Sequence, residues 1–354
     1  MTTDAVADDV AALVGRLFAD KAGHEQVLAA ENVPLLEELW KAVAGLGLPW
    51  VGVDETAGGS GGSIDDLLVI LRASGEHAVP LPLLENHLAA WLVAAAGGTV
   101  ATDRPWTVAP GTPADTLSVS GTRVSGALHD VAWGSAADRV VALLNEPDTG
   151  GVTLVVLDPA DASVTVGRDI AGQPRDTLAF DGAEALVLDS PVTPEQLRQR
   201  GAVLRAVQMA GAMTAVYEVT KRYTGERHQF GRPIGTFQSV RTHLVHLAQM
   251  AVMTEVSAER AAHALESGHD ASFDAYAAKL VADQNAAVSI RSAHQAHGAI
   301  GMTREYVLQD HTRRLNAWRG DWGTELALAE RIGAAVLDAG RIATAATDAG
   351  SLVV

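Results

Sequence analysis

Two short segments concentrate the residue types that could bind a small molecule. The first, GERHQFGRPIGTFQSV, brings Arg227 and His228 to the junction of two predicted helices, with Phe230 and Phe237 adding flat apolar surface. Arginine beside helix-end amides suits a pyrophosphate, and Gly231 lets a backbone approach a ligand closely. From these residues alone, a polar turn between two helices explains the segment equally well.

The second segment is HQAHGAIGMTREY, residues 294–306. Gln295 offers both a hydrogen-bond donor and an acceptor. Gly298 and Gly301 have no side chains, so the backbone beside Gln295 is accessible. A contact between subunits would have a similar composition, so this segment by itself leaves ligand binding and oligomer contact both open.

Other patterns of catalytic or metal-binding residues are weak. His243 and His246 lie one helical turn apart, as do His294 and His297, and either pair could reach a metal ion. Neither pair has a matched carboxylate, so packed or exposed histidines are the better prediction and no metal is expected. The GGSGG stretch lacks the spacing of a dinucleotide fingerprint and is predicted to be a flexible loop.

Composition narrows the classes of partner. The chain has 354 residues, which favours two or three domains. Its formal charge of −17 disfavours nucleic acid and anionic membranes as partners. The absence of cysteine excludes disulfides and thiol catalysis. The apolar stretch 88–100 is too short to span a bilayer and the N-terminus lacks a signal peptide, so a cytoplasmic protein is expected.

The sequence pattern changes twice along the chain, from helical to β-rich and back to helical. Residues 1 to about 97 and about 193 to 345 show helical spacing of apolar residues, with Ser63 as an N-cap, and the four long helices predicted in the second stretch are typical of a bundle. Between them, short β-rich runs separated by turn residues predict a small antiparallel barrel or sandwich. The predicted strands are Thr116–Ser120, Arg139–Leu144, Val152–Leu157, Val164–Val166, Leu178–Phe180 and Leu186–Leu188.

Taken together, the two segments resemble motifs of the acyl-CoA dehydrogenase family. GERHQFGRPIGTFQ is similar to its R-x-x-F-G followed by a glutamine, HQAHGAIG to its Q-x-x-G-x-x-G, and VDETAGGSGGS to its early glycine-rich loop. The resemblance implies an α+β fold with an N-terminal helical domain (1–100), a central β-barrel-like domain (101–190) and a C-terminal four-helix bundle (191–354).

The resemblance also implies an activity. Family members oxidise the α,β bond of acyl-CoA thioesters: a glutamate removes the α proton and FAD takes the β hydride. Each FAD is shared between two subunits, one at the flavin ring and its neighbour at the pyrophosphate and adenine. The neighbour-side residues implied here are Arg227, Phe230, Phe237, Gln238, Gln295 and Gly298.

The flavin-ring side and the base do not match the family. The T-E-P-x-x-G-S-D loop is missing, and the W-I-T position falls on Asp130, Val131 and Ala132. The Y-E-G-T position falls on residues 321–324, where Trp322 replaces the glutamate. The alternative Glu-Arg position falls on Gly201 and Ala202. Neither tryptophan nor glycine can accept the proton.

We therefore expect the base-less subunit of a heterotetrameric (α2β2) FAD-dependent acyl-CoA dehydrogenase, like those of actinobacteria that shorten sterol side-chain thioesters. Its predicted partners are a homologous catalytic subunit, an acyl-CoA substrate, for which a steroid side chain is one candidate, and an electron acceptor. Two alternatives remain. One is a self-sufficient homotetramer with Asp321 as a weak candidate base, or an unplaced acid such as Glu305. The other is a non-catalytic scaffold of the same fold.

Overall fold

The computed structural model describes residues 3–100, 103–146, 150–267 and 270–341, and describes side chains from residue 10 onward. Its described residues form two compact units. One, the helical unit, comprises residues 3–24, 68–79 and 199–341, and the other, the sheet unit, comprises residues 25–67 and 80–198. The domain boundaries expected at residues 100 and 190 remain a prediction.

The helices and strands follow the predicted order of helical, β and helical segments. The helices are α1 (Thr3–Lys21), α2 (His24–Ala30), α3 (Glu37–Ala44), α4 (Ile64–Glu76), α5 (Leu83–Ala95), α6 (Pro194–Glu226), α7 (Gln238–Glu266), α8 (Ser272–His297), α9 (Leu308–Trp318) and α10 (Glu325–Ala339). The strands are β1 (Trp106–Val108), β2 (Ser118–Ser120), β3 (Arg123–Ala132), β4 (Arg139–Asn145), β5 (Val152–Leu157), β6 (Ala162–Thr165), β7 (Arg175–Asp189), β8 (His228–Gln229) and β9 (Arg232–Pro233).

The sheet unit is built on seven strands in the order β1-β4-β5-β7-β3-β2, with β6 also paired to β7. Apolar side chains that alternate along the strands form its core; the fully buried ones include Val124, Val155, Leu157 and Leu178. The pairs are antiparallel except β1 with β4, which is parallel. The predicted small antiparallel barrel or sandwich did not include β1, and its parallel pairing with β4 departs from that prediction.

Two separate short strands were predicted at 178–180 and 186–188, but the structure has the single strand β7 there. It is one continuous strand that runs through Gly182, whose φ is 67°. Residues 175–180 pair with β3 and in part with β6, Ala183 and Glu184 still pair with β3, and residues 185–189 pair with β5. A bulge-like glycine bends the strand without ending it, which is why DGAE reads as a turn in the sequence.

The glycine-rich loop is an ordered turn, not the flexible loop that was predicted. The amide of Gly52 donates to the carbonyl of Gly61 (2.7 Å), and the amide of Gly61 donates to the carbonyl of Val53 (2.8 Å). Gly58 has a φ of 85°, and a Cβ there would overlap the Val100 carbonyl. Glycine is thus required by both conformation and space.

The predicted cap of α4 is confirmed. The Asp66 amide donates to the Ser63 hydroxyl (3.3 Å), and the Asp66 carboxylate accepts from the Ser63 amide (2.8 Å). This reciprocal arrangement satisfies two amides that the first helical turn leaves without intrahelical partners.

The helical unit contains α1, most of α4, the four long helices that were predicted (α6, α7, α8 and α10) and a helix that was not predicted, α9. Helices α7 and α8 pack along their length, and α8 also contacts α9 and α10. Small residues permit close packing where α4 crosses α6, since a Cβ on Gly75 or on Gly211 would overlap backbone of the facing helix. The last helix, α10, was expected to reach about residue 347, but it ends at Ala339, where Gly340 adopts a left-handed φ of 68°.

Candidate functional site

One cavity of about 680 Å³ in the helical unit collects most of the predicted binding residues. Four segments form its walls: the end of α6, the β8–β9 hairpin, the start of α7 and the end of α8. The cavity volume lies within the range of ordinary ligand sites. Of the six candidates, Arg227, Phe230, Phe237, Gln295 and Gly298 line it. Among the described residues, Gln238 does not line it, although its neighbours Phe237 and Ser239 do.

The hairpin presents Phe230 to solvent. His228 pairs with Pro233 and Gln229 with Arg232, which leaves a two-residue loop. Both loop residues have positive φ, 52° at Phe230 and 77° at Gly231, as a type I′ turn requires. Phe230 is 91% exposed. A bulky aromatic residue in this conformation is unusual, and its exposure makes it available to a ligand or a second chain.

The start of α7 supplies a flat apolar surface and backbone amides that no side chain caps. Phe237 precedes the helix, and no side chain caps its first turn. Its ring packs edge-on against Phe230, with centroids 6.1 Å apart, and the Arg232 guanidinium lies 4.2 Å from its centroid. Ser239 and Val240 of the first turn line the cavity, at the helix end where the dipole favours an anion.

The end of α8 supplies a backbone cradle and an amide. Gly298 caps the helix with φ 66° and ψ −143°, a combination that other residues avoid. A Cβ built on Gly298 would meet no described atom within 4 Å, so the backbone stays open on that side. Gln295 lies one turn earlier on the cavity wall.

His297 is a cavity residue that the sequence reasoning treated as a packed or exposed histidine. Its Nδ1 lies 2.8 Å from the carbonyl of Ala293, and its ring stacks on Tyr223 with centroids 4.5 Å apart. Burial lowers the pKa of His297 despite that hydrogen bond. The imidazole is therefore neutral at pH 7, with Nδ1 carrying the proton that is donated to Ala293.

The charge of the cavity follows from its residue types. Among the described residues that line it there is no carboxylate, and Arg227 carries the formal charge. This is notable in a chain with 43 acidic residues and a net charge of −17. Arg227 and the first turn of α7 together make the cavity suited to an anionic ligand such as a pyrophosphate.

The candidate base Asp321 lies in the loop after α9, away from this cavity's lining. Its Oδ2 lies 3.0 Å from Nε of Arg205, and the two side chains are 9% and 3% exposed. Its neighbour Trp322 lies against Gly201 of α6: a Cβ on Gly201 would be 2.6 Å from Cε2 and from Cε3 of the indole. The two sequence positions assigned to a missing base therefore lie in direct contact.

Other sequence candidates lie elsewhere. Asp130, at the expected flavin-ring position, lies in the sheet unit with φ 56° beside a register shift of β3. Glu305 is exposed between the turn at Gly298–Met302 and α9. No group of three or more metal-binding side chains occurs among the described residues. In the same part of the chain, no helix is long and apolar enough to cross a membrane.

Sequence comparison relates the chain to known enzymes. Residues 195–337 match the family described as acyl-CoA dehydrogenase, C-terminal domain. The chain is 27% identical over 308 residues to acyl-CoA dehydrogenase IpdE2 of Mycolicibacterium smegmatis, covering 85% of this chain and 89% of that protein. It is also 27% identical over 311 residues to IpdE2 of Mycobacterium tuberculosis, covering 85% and 88%.

Structure comparison gives the same relationship over nearly the whole chain. The Tcur3481-Tcur3483 steroid ACAD variant superposes with a TM-score of 0.85 at 27% identity, covering 96% of this chain and 99% of that chain. Butyryl-CoA dehydrogenase from Megasphaera elsdenii has a TM-score of 0.82 at 18% identity, covering 95% and 99%. The second likeness concerns the fold alone.

Proposed function

We propose that this chain, whose residues 195–337 match the C-terminal domain of acyl-CoA dehydrogenases, is the base-less subunit of a heteromeric enzyme of that family and completes the FAD site of a catalytic partner chain. The observation that carries the proposal is the contrast between two places in the helical unit. The 680 Å³ cavity keeps the binding residues, whereas Trp322 and Gly201 stand where a base is needed.

The cavity residues fit a dinucleotide. Arg227 and the uncapped first turn of α7 offer positive charge to a pyrophosphate. The open backbone at Gly298 admits close approach, and the Gln295 amide offers a donor and an acceptor. Phe230 and Phe237 provide flat apolar faces. When bound, FAD supplies the hydride acceptor; this chain's residues hold and orient its distal half.

A second chain is required because no acidic side chain of this chain occupies either position of the catalytic base. Asp321 is engaged by Arg205, and the side chains of both residues are buried. Phe230, Ile300 and Met302, by contrast, are exposed apolar side chains at or beside the cavity. Such a rim is suited to burial against a partner. The similar Tcur3481-Tcur3483 steroid ACAD is named for two proteins, which supports a homologous partner for this chain. Its name also supports a steroid thioester as the substrate.

The test is FAD retention in the assembled complex, measured by flavin fluorescence after ultrafiltration. Loss of a charge-assisted contact of about 1.5–3 kcal/mol predicts a roughly 10- to 150-fold higher Kd for Arg227→Ala. Arg227→Lys keeps the charge and loses the planar fork, so an intermediate value is expected. Arg123→Ala in the sheet unit is the matched control. Unchanged FAD affinity in Arg227→Ala would mean that the hairpin segment is a structural turn.

The homotetramer hypothesis is decided by Asp321→Asn. If Asp321 were the base, this substitution would abolish turnover at unchanged FAD content. The proposed role predicts turnover per assembled complex within about twofold of the wild type. If the chain formed complexes of normal stability with homologous partners and none of these complexes contained flavin, the hypothesis of a non-catalytic scaffold would be favoured instead.

A further inference from the structure

Trp322 is held in a backbone conformation that large side chains rarely adopt. Its φ is 60°, and the following Gly323 has φ 133°. Left-handed backbone at a bulky residue persists when the surrounding structure over-determines it, and such positions concentrate at functional sites. The position of the indole is therefore specified by the rest of the helical unit.

The indole lies directly on a helix glycine. A Cβ on Gly201 would fall inside the van der Waals surface of the ring, 2.6 Å from two of its carbons. Trp322 is 9% exposed. The glycine and the tryptophan are thus complementary: a side chain at position 201 and the indole cannot share the space.

The loop that carries Trp322 is fixed at several points. Arg205, one turn beyond Gly201 on α6, pairs with Asp321, and its guanidinium lies 5.0 Å from the Trp318 ring centroid. At the other end of the loop the Thr324 hydroxyl accepts from the Ala327 amide (3.4 Å) and caps α10. Both flanks of the indole are consequently anchored to helices.

The contact has a functional meaning. Two residues 121 positions apart, each assigned to a missing base by counting from a different motif, meet at one point. A base acting from either position would have to reach the same proton, so the two positions must face a common volume. We propose that Trp322 is a plug that fills this volume against Gly201, so that this subunit binds no acyl-CoA thioester of its own.

This inference rests on the proposed function and deepens it, because it sets the number of substrate sites in the complex. The ion pair of Arg205 with Asp321 is then a positioning device for the plug. The expected stoichiometry is one thioester for each pair of unlike chains. Shortening the indole to a methyl group opens the volume, whereas a phenyl ring keeps most of it filled.

The experiment counts octanoyl-CoA bound by the assembled complex, using anaerobic equilibrium dialysis. Trp322→Ala is expected to bind one more octanoyl-CoA per variant chain than the wild type, and Trp322→Phe to bind the same number as the wild type. FAD content and mass are measured on the same samples. Should Trp322→Ala fail to assemble, Trp322→Leu, which removes less volume, takes its place.

Two results would overturn the plug. A wild-type complex that binds two octanoyl-CoA molecules per pair of chains would show that the volume is open, and an unchanged count in both opened variants would show that the indole is only core packing. Failure of the proposed function looks different: it appears as one FAD per chain in a homotetramer, whatever the thioester count.

Discussion

Whether Asp321 can act as a base depends on its neighbours in the fold, and above all on Arg205. The sequence places an acid next to the position of a missing glutamate, and so keeps Asp321 as a candidate base. The structure adds an arginine from another helix at 3.0 Å, together with burial of both side chains. That partner is four residues beyond Gly201, a helical spacing that points Arg205 and Gly201 to the same face of α6. The spacing could have suggested the pairing only once the loop position was known.

His311 gives the molecule a predicted acid sensitivity. Burial lowers its pKa to about 3, with Arg314 adding to the effect and a hydrogen bond to the backbone of Gly75 opposing it. Because the folded pKa lies below the unfolded value of about 6.5, the unfolded state binds the extra proton and stability falls as the pH drops below that value. The loss for this group is about 2 kcal/mol between pH 8 and pH 5.

His311→Gln should remove that component. We expect the free energy of unfolding, measured by urea titration at pH 8 and at pH 5, to change less with pH in this variant than in the wild type. His246→Gln, on the exposed face of α7, serves as the control. An identical pH dependence in His311→Gln and the wild type would contradict a buried neutral imidazole.

Among the elements, long helices were predictable and short strands were not. The apolar spacing of α6, α7 and α8 extends over 26 or more residues each, and the predicted helices were confirmed within a few residues. Strand β3 was missed because Gly126 and Asp130 interrupt its alternation, although bulges accommodate both. Helix α9 was missed because its sequence is short and polar overall, with burial set by tertiary packing.

The β8–β9 hairpin is the element on which the proposed shared FAD site depends. A type I′ turn favours Asn, Asp or Gly at its first central position, so Phe230 costs the isolated fold about 1 kcal/mol or more of strain. Phe230→Asn should therefore raise the chain's own free energy of unfolding or leave it unchanged. The same substitution should weaken FAD retention in the complex, because an exposed aromatic contact is lost. Higher stability with undiminished FAD retention would mean that Phe230 contacts neither cofactor nor partner.

At the scale of the whole molecule, composition and element order led to the right fold class. The order of helical, β and helical stretches read from the sequence is the order of elements in the structure, and this structure superposes on the steroid ACAD variant over 96% of the chain. The motifs at 227–238 and 295–298 pointed to one cavity, and five of their six residues line it. The register of Gln238 could not be derived, because one residue along a helix turns a side chain by about 100°.

FAD content and mass distinguish a partner-dependent subunit from a self-sufficient enzyme, and both are measured on this chain produced alone and produced together with a homologous acyl-CoA dehydrogenase chain that retains its glutamate. We predict little or no FAD on the chain alone, and a heterotetramer carrying one FAD per pair of unlike chains in the co-produced sample. A homotetramer of this chain alone, with one FAD per chain and dehydrogenase turnover, would contradict the role of a base-less subunit.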